Sequence, residues 1–382
     1  MKHVDIVYFD VTSGHRSAAQ AILRALARRD GGLDVRLVNL VDALSGDRRL
    51  QGLARGGIDA FNWCMRRELP LFQRQQIGFF QALQRALPPS AQAHVGGFWR
   101  RRPVDLVASV TPICNGFLQR ALHTARPAAP YVVVPVDLTE GKARYWFEPD
   151  IDAHYLNPTE RLMEQCRAAG VAEARATAVR GMPVDPAFYD HRGGDRAEVL
   201  ARLGLDPSLL TVLVSFGGQG SVLVERCARA LRPLGAGCNV IFLCGRDEAG
   251  RARVERLEAP YRKCALGFTE EPPAAWYGLA DVVVGKPGSM TLTEAIVMRK
   301  PLVALRSGTL AVVQRGNEEW IERAGVGAVV ELDGLADAVR RLHGSAAVRA
   351  AIDRHWHRGV EEIAAHLLRL GGHPAARGGA TC

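Results

Sequence analysis

Twelve short runs rich in valine, isoleucine and leucine, separated by stretches of helical periodicity, constrain this chain more than any other feature. In the first half they cover 4–10, 33–40, 104–110, 131–136, 153–156 and 176–181; in the second, 211–216, 239–244, 263–266, 282–285, 302–305 and 328–331. Short continuous apolar runs suit strands buried on both faces, as a parallel sheet requires. The helical stretches between them, such as 17–29, 159–169, 222–231, 291–298 and 317–324, supply the covering layers. Repeated strand–helix order predicts an α/β chain with doubly wound, Rossmann-like parallel sheets. The pattern breaks at Pro183-Val184-Asp185-Pro186 and at the polar, glycine-rich stretch 190–196. The expected layout is therefore a domain at 1–184, a linker at 185–196, a second domain at 197–345, C-terminal helices at 346–370 and a disordered Gly/Ala-rich tail at 371–382. With 382 residues there is chain enough for two cores, and the two domains are expected to face each other across a cleft.

Composition narrows the function classes. The net charge is +9, and with only five lysines the excess is carried by arginine, which suits anionic ligands or anionic lipid. Zinc-finger spacing, a basic zipper and an aromatic RNA-binding signature are all missing, so nucleic acid is not an expected partner. The eight cysteines show no Cys-x-x-Cys spacing, several sit in apolar runs, and they read as reduced thiols. Met1-Lys2-His3 leads straight into a strand pattern, and no run approaches the roughly 18 apolar residues of a membrane span. A cytoplasmic protein, with the inner membrane surface as a further location, is the expectation.

In doubly wound sheets, ligands bind in the loops beyond the carboxyl ends of the strands. Three such loops carry chemistry. Thr12-Ser13-Gly14-His15 follows the first strand and opens a helix expected near Ser17; His15 is either a general base for a hydroxyl nucleophile or a helix cap. Ser215-Phe216-Gly217-Gly218-Gln219-Gly220-Ser221 is a strand–turn–helix loop whose glycines admit a diphosphate to free N–H groups, or merely pack tightly. It is not a Gly-x-Gly-x-x-Gly fingerprint, Asp247 does not complete one, and no Walker A lysine arrangement occurs. Gly285-Lys286-Pro287-Gly288-Ser289-Met290-Thr291-Leu292-Thr293-Glu294 repeats the pattern with a carboxylate near the helix start. Glu294 suits the hydroxyls of a ribose, or forms a capping box with Thr291.

Together these loops describe a site for a nucleoside diphosphate compound and a hydroxyl acceptor. Their order, with Val136-Asp137-Leu138, Trp146-Phe147, Asn157-Pro158-Thr159-Glu160, Gly181-Met182-Pro183-Val184, Phe188, Gly316-Asn317 and Gly325, resembles the GT-B glycosyltransferases. Within them it is most similar to the monogalactosyldiacylglycerol synthase and processive diacylglycerol glucosyltransferase family, and more distantly to the N-acetylglucosaminyltransferase of peptidoglycan lipid synthesis. The resemblance implies inverting transfer from a UDP-sugar without metal or other cofactor. It makes His15 the candidate base or acceptor-orienting group and Asp137 a second acidic group on the acceptor side; a helix or turn cap is the other role open to Asp137. It places Gly218, Gly220 and Ser221 at the diphosphate, Phe268 where backbone groups meet the uracil ring and Glu294 at the ribose hydroxyls, with Gly217, Gly288, Ser289, Met290, Thr291, Gln314 and Asn317 as further donor-binding residues. Val313-Gln314 stands where the family has a Gln-Gln or Gln-Glu pair, which leaves the donor sugar open.

Between 58 and 102 aromatic rings alternate with arginines, among them Phe61, Trp63, Arg66, Arg67, Phe79, Phe80, Trp99 and Arg100. Such a segment suits an interfacial helix meeting acyl chains and lipid phosphates, or a helix pair packed on the first sheet. The resemblance places a diacylglycerol-type acceptor there. The alternatives are a soluble glycosyltransferase of secondary metabolism, a sugar-nucleotide epimerase, and a non-catalytic UDP-sugar-binding subunit.

Overall fold

The computed structural model describes residues 2–372 apart from 10–11, 30–31, 45–50, 53–54, 58, 60–88, 113, 140–144, 192–193, 219, 270 and 307–310. Residues 373–382 of the expected tail and most of the aromatic–arginine segment, with Phe61, Trp63, Arg66, Arg67, Phe79 and Phe80, lie outside the described residues.

Each expected run forms a strand. β1 (Lys2–Tyr8), β2 (Leu33–Asn39), β3 (Leu106–Ser109), β4 (Tyr131–Val133), β5 (His154–Asn157) and β6 (Ala176–Ala178) make one sheet in the order β2-β1-β3-β4-β5-β6. β7 (Leu210–Ser215), β8 (Cys238–Gly245), β9 (Arg262–Gly267), β10 (Val282–Gly285), β11 (Leu302–Leu305) and β12 (Gly327–Val330) make the other, ordered β12-β11-β10-β7-β8-β9. Every pairing is parallel, as Val4 opposite Val35 and Val282 opposite Val212 illustrate. The order reverses beside β1 and β7, which creates a crevice at the carboxyl ends of β1 and β3 and another at those of β7 and β10.

The chain forms two compact units. The first gathers the described residues up to Pro186 and resumes at Arg358; the second runs from Ala187 to His357. The two C-terminal helices, expected as one group, separate: Ala346–His355 belongs to the second unit and Gly359–Leu370 to the first. Gly359 fits there because it has no side chain; a Cβ would stand 2.2 Å from the Gly181 carbonyl oxygen. The last helix buries Val360, Ile363, Ala364, Leu367 and Leu368, and Arg29 Nε bonds Glu361 Oε2 at 3.0 Å.

The helix Pro89–Arg100 corrects one expectation. Trp99 is fully buried and donates from Nε1 to Asp5 Oδ2 at 3.1 Å, while Arg36 Nε reaches the other oxygen at 2.7 Å. Its indole is therefore core that satisfies a buried carboxylate, not a ring presented to lipid. Arg100, one residue on, is exposed in the last turn, where a cation complements the helix dipole. Among the described residues no helix is long and apolar enough to cross a membrane, and Cys114, Cys166, Cys227, Cys238, Cys244 and Cys264 are free thiols.

Candidate active site

At the carboxyl end of the first sheet, the helix after β1 begins at Thr12 rather than near Ser17, so His15 stands in its first turn. Its Nδ1 is 2.8 Å from the Val110 carbonyl oxygen, just past β3. A carbonyl only accepts, so Nδ1 carries the hydrogen and Nε2 keeps its lone pair. Burial lowers the imidazole's pKa against the opposing pull of that carbonyl, which favours the neutral ring. The Trp146 ring lies 6.3 Å from the His15 ring, centroid to centroid, and Trp146 Nε1 donates to Asp137 Oδ2 at 3.0 Å. Burial pushes the Asp137 carboxyl up to about 6, against the stabilising indole bond. The loops after β1, β3 and β4 thus assemble a neutral imidazole, an indole and a carboxyl with a near-neutral pKa. Asp137 is held by a side chain from nine residues on, and Trp146 is the member of this cluster whose contact the sequence did not announce.

In the second unit the glycine loop after β7 folds back on itself. Gly220 N donates to Gly217 O at 3.1 Å, and Leu223 N to Ser221 Oγ at 3.2 Å as the helix Leu223–Ala230 begins. Gly220 has φ +78°, and a Cβ there would lie 2.6 Å from both the Cys244 carbonyl oxygen and Asp247 Cβ, so only glycine fits. Gly218 accepts from Arg246 N at 3.0 Å, which ties this loop to the one after β8. Asp247 caps the helix Glu248–Arg256 through Gly250 N at 2.8 Å, a local role. Phe268, 56% exposed at the end of β9, carries the Arg246 guanidinium 4.1 Å above its ring. The contact of Arg246 with this ring is not visible in the sequence, although Gly245-Arg246-Asp247 repeats the strand–turn–helix pattern of the other loops.

The third loop overturns the capping-box alternative. The helix is Ser289–Val297 with Gly288 as its N-cap, and no side chain caps it. Thr291 therefore lies inside the first turn and Glu294 in the second, three residues later than a capping glutamate. Ser289 and Met290 are buried, and the start of a helix presents backbone N–H groups of the kind an anion needs. Glu294 is half-buried and its Oε2 accepts from Tyr277 OH at 3.2 Å. Asn317 is buried in the helix Ala311–Ala324 and donates from Nδ2 to Pro287 O at 2.9 Å, so it holds the loop's backbone. The side chain of Gln314 in the same helix lies outside the described residues, as does Gln219. Among the described residues no cluster of His, Cys, Asp and Glu could hold a metal ion.

No family model matches the chain. In sequence it is similar to a probable monogalactosyldiacylglycerol synthase 2, chloroplastic, of Oryza sativa subsp. japonica. The two are 29% identical over 223 residues, covering 55% of this chain and 45% of that protein. A UDP-N-acetylglucosamine--N-acetylmuramyl-(pentapeptide) pyrophosphoryl-undecaprenol N-acetylglucosamine transferase of Acidothermus cellulolyticus is 28% identical over 348 residues, covering 87% of this chain and 85% of that one. MurG of Acinetobacter baumannii superposes with a TM-score of 0.62 over 97% of this chain and 100% of that chain, at 15% identity. The fold is GT-B.

The GT-B fold accounts for the two sheets, and the resemblance to the monogalactosyldiacylglycerol synthases stands. The chain spans a little under half the length of the rice protein it matches. In this GT-B chain the sequence-selected residues fall into one set at the carboxyl end of each sheet. His15 and Asp137 belong to the first, linked by Trp146; Gly217, Gly218, Gly220, Ser221, Phe268, Gly288, Ser289, Met290, Thr291 and Glu294 surround the second, with Asn317 behind it.

Proposed function

We propose that this chain is an inverting, metal-independent glycosyltransferase that moves a sugar from a UDP-sugar to a hydroxyl of a diacylglycerol-type lipid at the inner face of a membrane. The observation that carries this reading is the His15 imidazole, oriented by Val110 with its basic nitrogen left over. In the step proposed, Nε2 takes the proton of the acceptor hydroxyl as its oxygen attacks the anomeric carbon. The bond to UDP breaks with inversion, and the diphosphate keeps the electron pair. Asp137 serves the acceptor side. In the second unit the glycine loop that precedes the helix Leu223–Ala230 and the helix start at Ser289 supply N–H groups for the departing charge, where preorganised dipoles do the most. Glu294 accepts from the ribose hydroxyls, and the base stacks beside Phe268. Arg100 and the arginines of 66–67 meet anionic headgroups.

A UDP-release assay across a panel of UDP-sugars, with and without diacylglycerol-containing liposomes, tests this. Release that requires the lipid supports the reading. Release with a soluble acceptor alone moves the chain to the soluble class, which the Val313 departure favours. No release with any donor leaves a nucleotide-sugar-binding subunit.

A further inference from the structure

Tyr277 is a polar-tipped aromatic that the proposed chemistry does not use. It comes from the short helix Pro273–Leu279, is 3% exposed, and is held edge-on by Phe188 with ring centroids 5.5 Å apart at 78°. Its hydroxyl ends on Glu294 Oε2 at 3.2 Å. Burial, reinforced by the neighbouring Glu294 charge, raises the phenol well above its ordinary range, so it remains an O–H donor and the carboxylate the acceptor. Glutamate has three rotatable bonds, and fixing it at the moment of binding costs side-chain entropy. A carboxylate also offers about four lone-pair sites. The Tyr277 bond occupies one of them and sets the direction in which the carboxylate faces.

We propose that Tyr277 is a positioning residue: its hydroxyl, held by Phe188, fixes the Glu294 carboxylate in the orientation that accepts a vicinal diol, and so sets this unit's selectivity for ribonucleoside diphosphates. The proposal rests on the reading of Glu294 as the ribose acceptor. It gives Phe188, a residue of the family-like pattern with no chemistry of its own, a role as the wall that aims Tyr277.

The test is calorimetric titration of the full chain with UDP and with 2′,3′-dideoxy-UDP. Tyr277→Phe keeps the ring and its packing on Phe188. It should weaken UDP about tenfold, the scale of one lost hydrogen bond to a charged group, and leave the dideoxy compound unchanged. The donor KM should rise more than kcat falls, and in a Glu294→Gln background the same substitution should add nothing. Equal weakening of both nucleotides with a lower melting temperature would make Tyr277 a packing residue and overturn the proposal; so would an unchanged UDP affinity. If Glu294→Gln abolishes the preference for UDP and Tyr277→Phe does not, Tyr277 alone is wrong. If Glu294→Gln leaves the preference intact, the ribose reading fails and the proposal falls with it. Should the phenylalanine chain not fold, 3-fluorotyrosine placed at 277 keeps the ring and makes its hydroxyl more acidic; a changed preference at an unchanged melting temperature supports the proposal and an unchanged preference overturns it.

Discussion

At the carboxyl end of the first sheet the candidate groups are side chains, and at the second they are mostly backbone. His15 and Asp137 are titratable, partly buried and shifted, the one downward and the other up to about 6, because desolvation disfavours the charged form of each. Around β7 and β10 the groups in play are N–H donors of turns and helix starts, shaped by glycines, with Glu294 as the carboxylate. The difference teaches where each unit is vulnerable. The first should be sensitive to what a side chain can protonate, and the second to where a Cβ can stand.

The largest expected effect tests the first half of that contrast. His15→Ala should lower turnover about a hundredfold or more, the loss typical of a missing general base, with UDP affinity unchanged. Initial rates and calorimetry on one preparation decide it, and full turnover in the variant would remove the catalytic role. Next comes Gly220→Ala. A left-handed alanine costs about 1–2 kcal/mol, and its Cβ would also run into the Cys244 carbonyl at 2.6 Å. UDP affinity should fall about thirtyfold through displacement of the loop, while a probe of the first unit, such as the titration of His15 followed by NMR, should not move. Unaltered UDP binding would show that the glycine loop is a packing turn. The smallest effect concerns pH. The folded-state pKa of Asp137 lies above its unfolded value, so the stability this group contributes is fully present below pH 4 and is lost as pH rises through about 6. The melting temperature of the wild type should drop by about 2 °C more than that of Asp137→Asn between pH 4.5 and 7. Parallel melting curves would mean that the carboxyl is solvated in both states.

The strands were legible because a parallel sheet covered on both faces demands uninterrupted apolar runs, and Val282-Val283-Val284 or Tyr131-Val132-Val133 satisfy little else. The placement of His15 and Asp137 beyond strand ends was legible for the same reason. Helix starts were not. Gly14, a poor helix former, hid the first turn at Thr12, and Thr291 with Glu294 imitated a capping box although the chain turns into the helix at Gly288. Trp99 followed by arginines reads alike for an interfacial helix and for one that docks its indole inward with cations at its C-terminal end. Only the contact with Asp5 separates them. Trp146 on Asp137 and Tyr277 on Glu294 depend on tertiary approach, which periodicity does not encode.

The helix Gly359–Leu370 has a consequence for how the molecule comes into being. A chain leaving the ribosome presents β1 to β6 before β7 to β12, yet the layer that brings Leu367 and Leu368 to Leu26 and Leu106 follows both. The first unit receives its last helix only from Arg358 onward, after the stretch from Ala187 to His357 has been made. A nascent chain stalled before residue 359 would therefore hold one completed unit and one with an open apolar flank, a natural target for chaperones during synthesis.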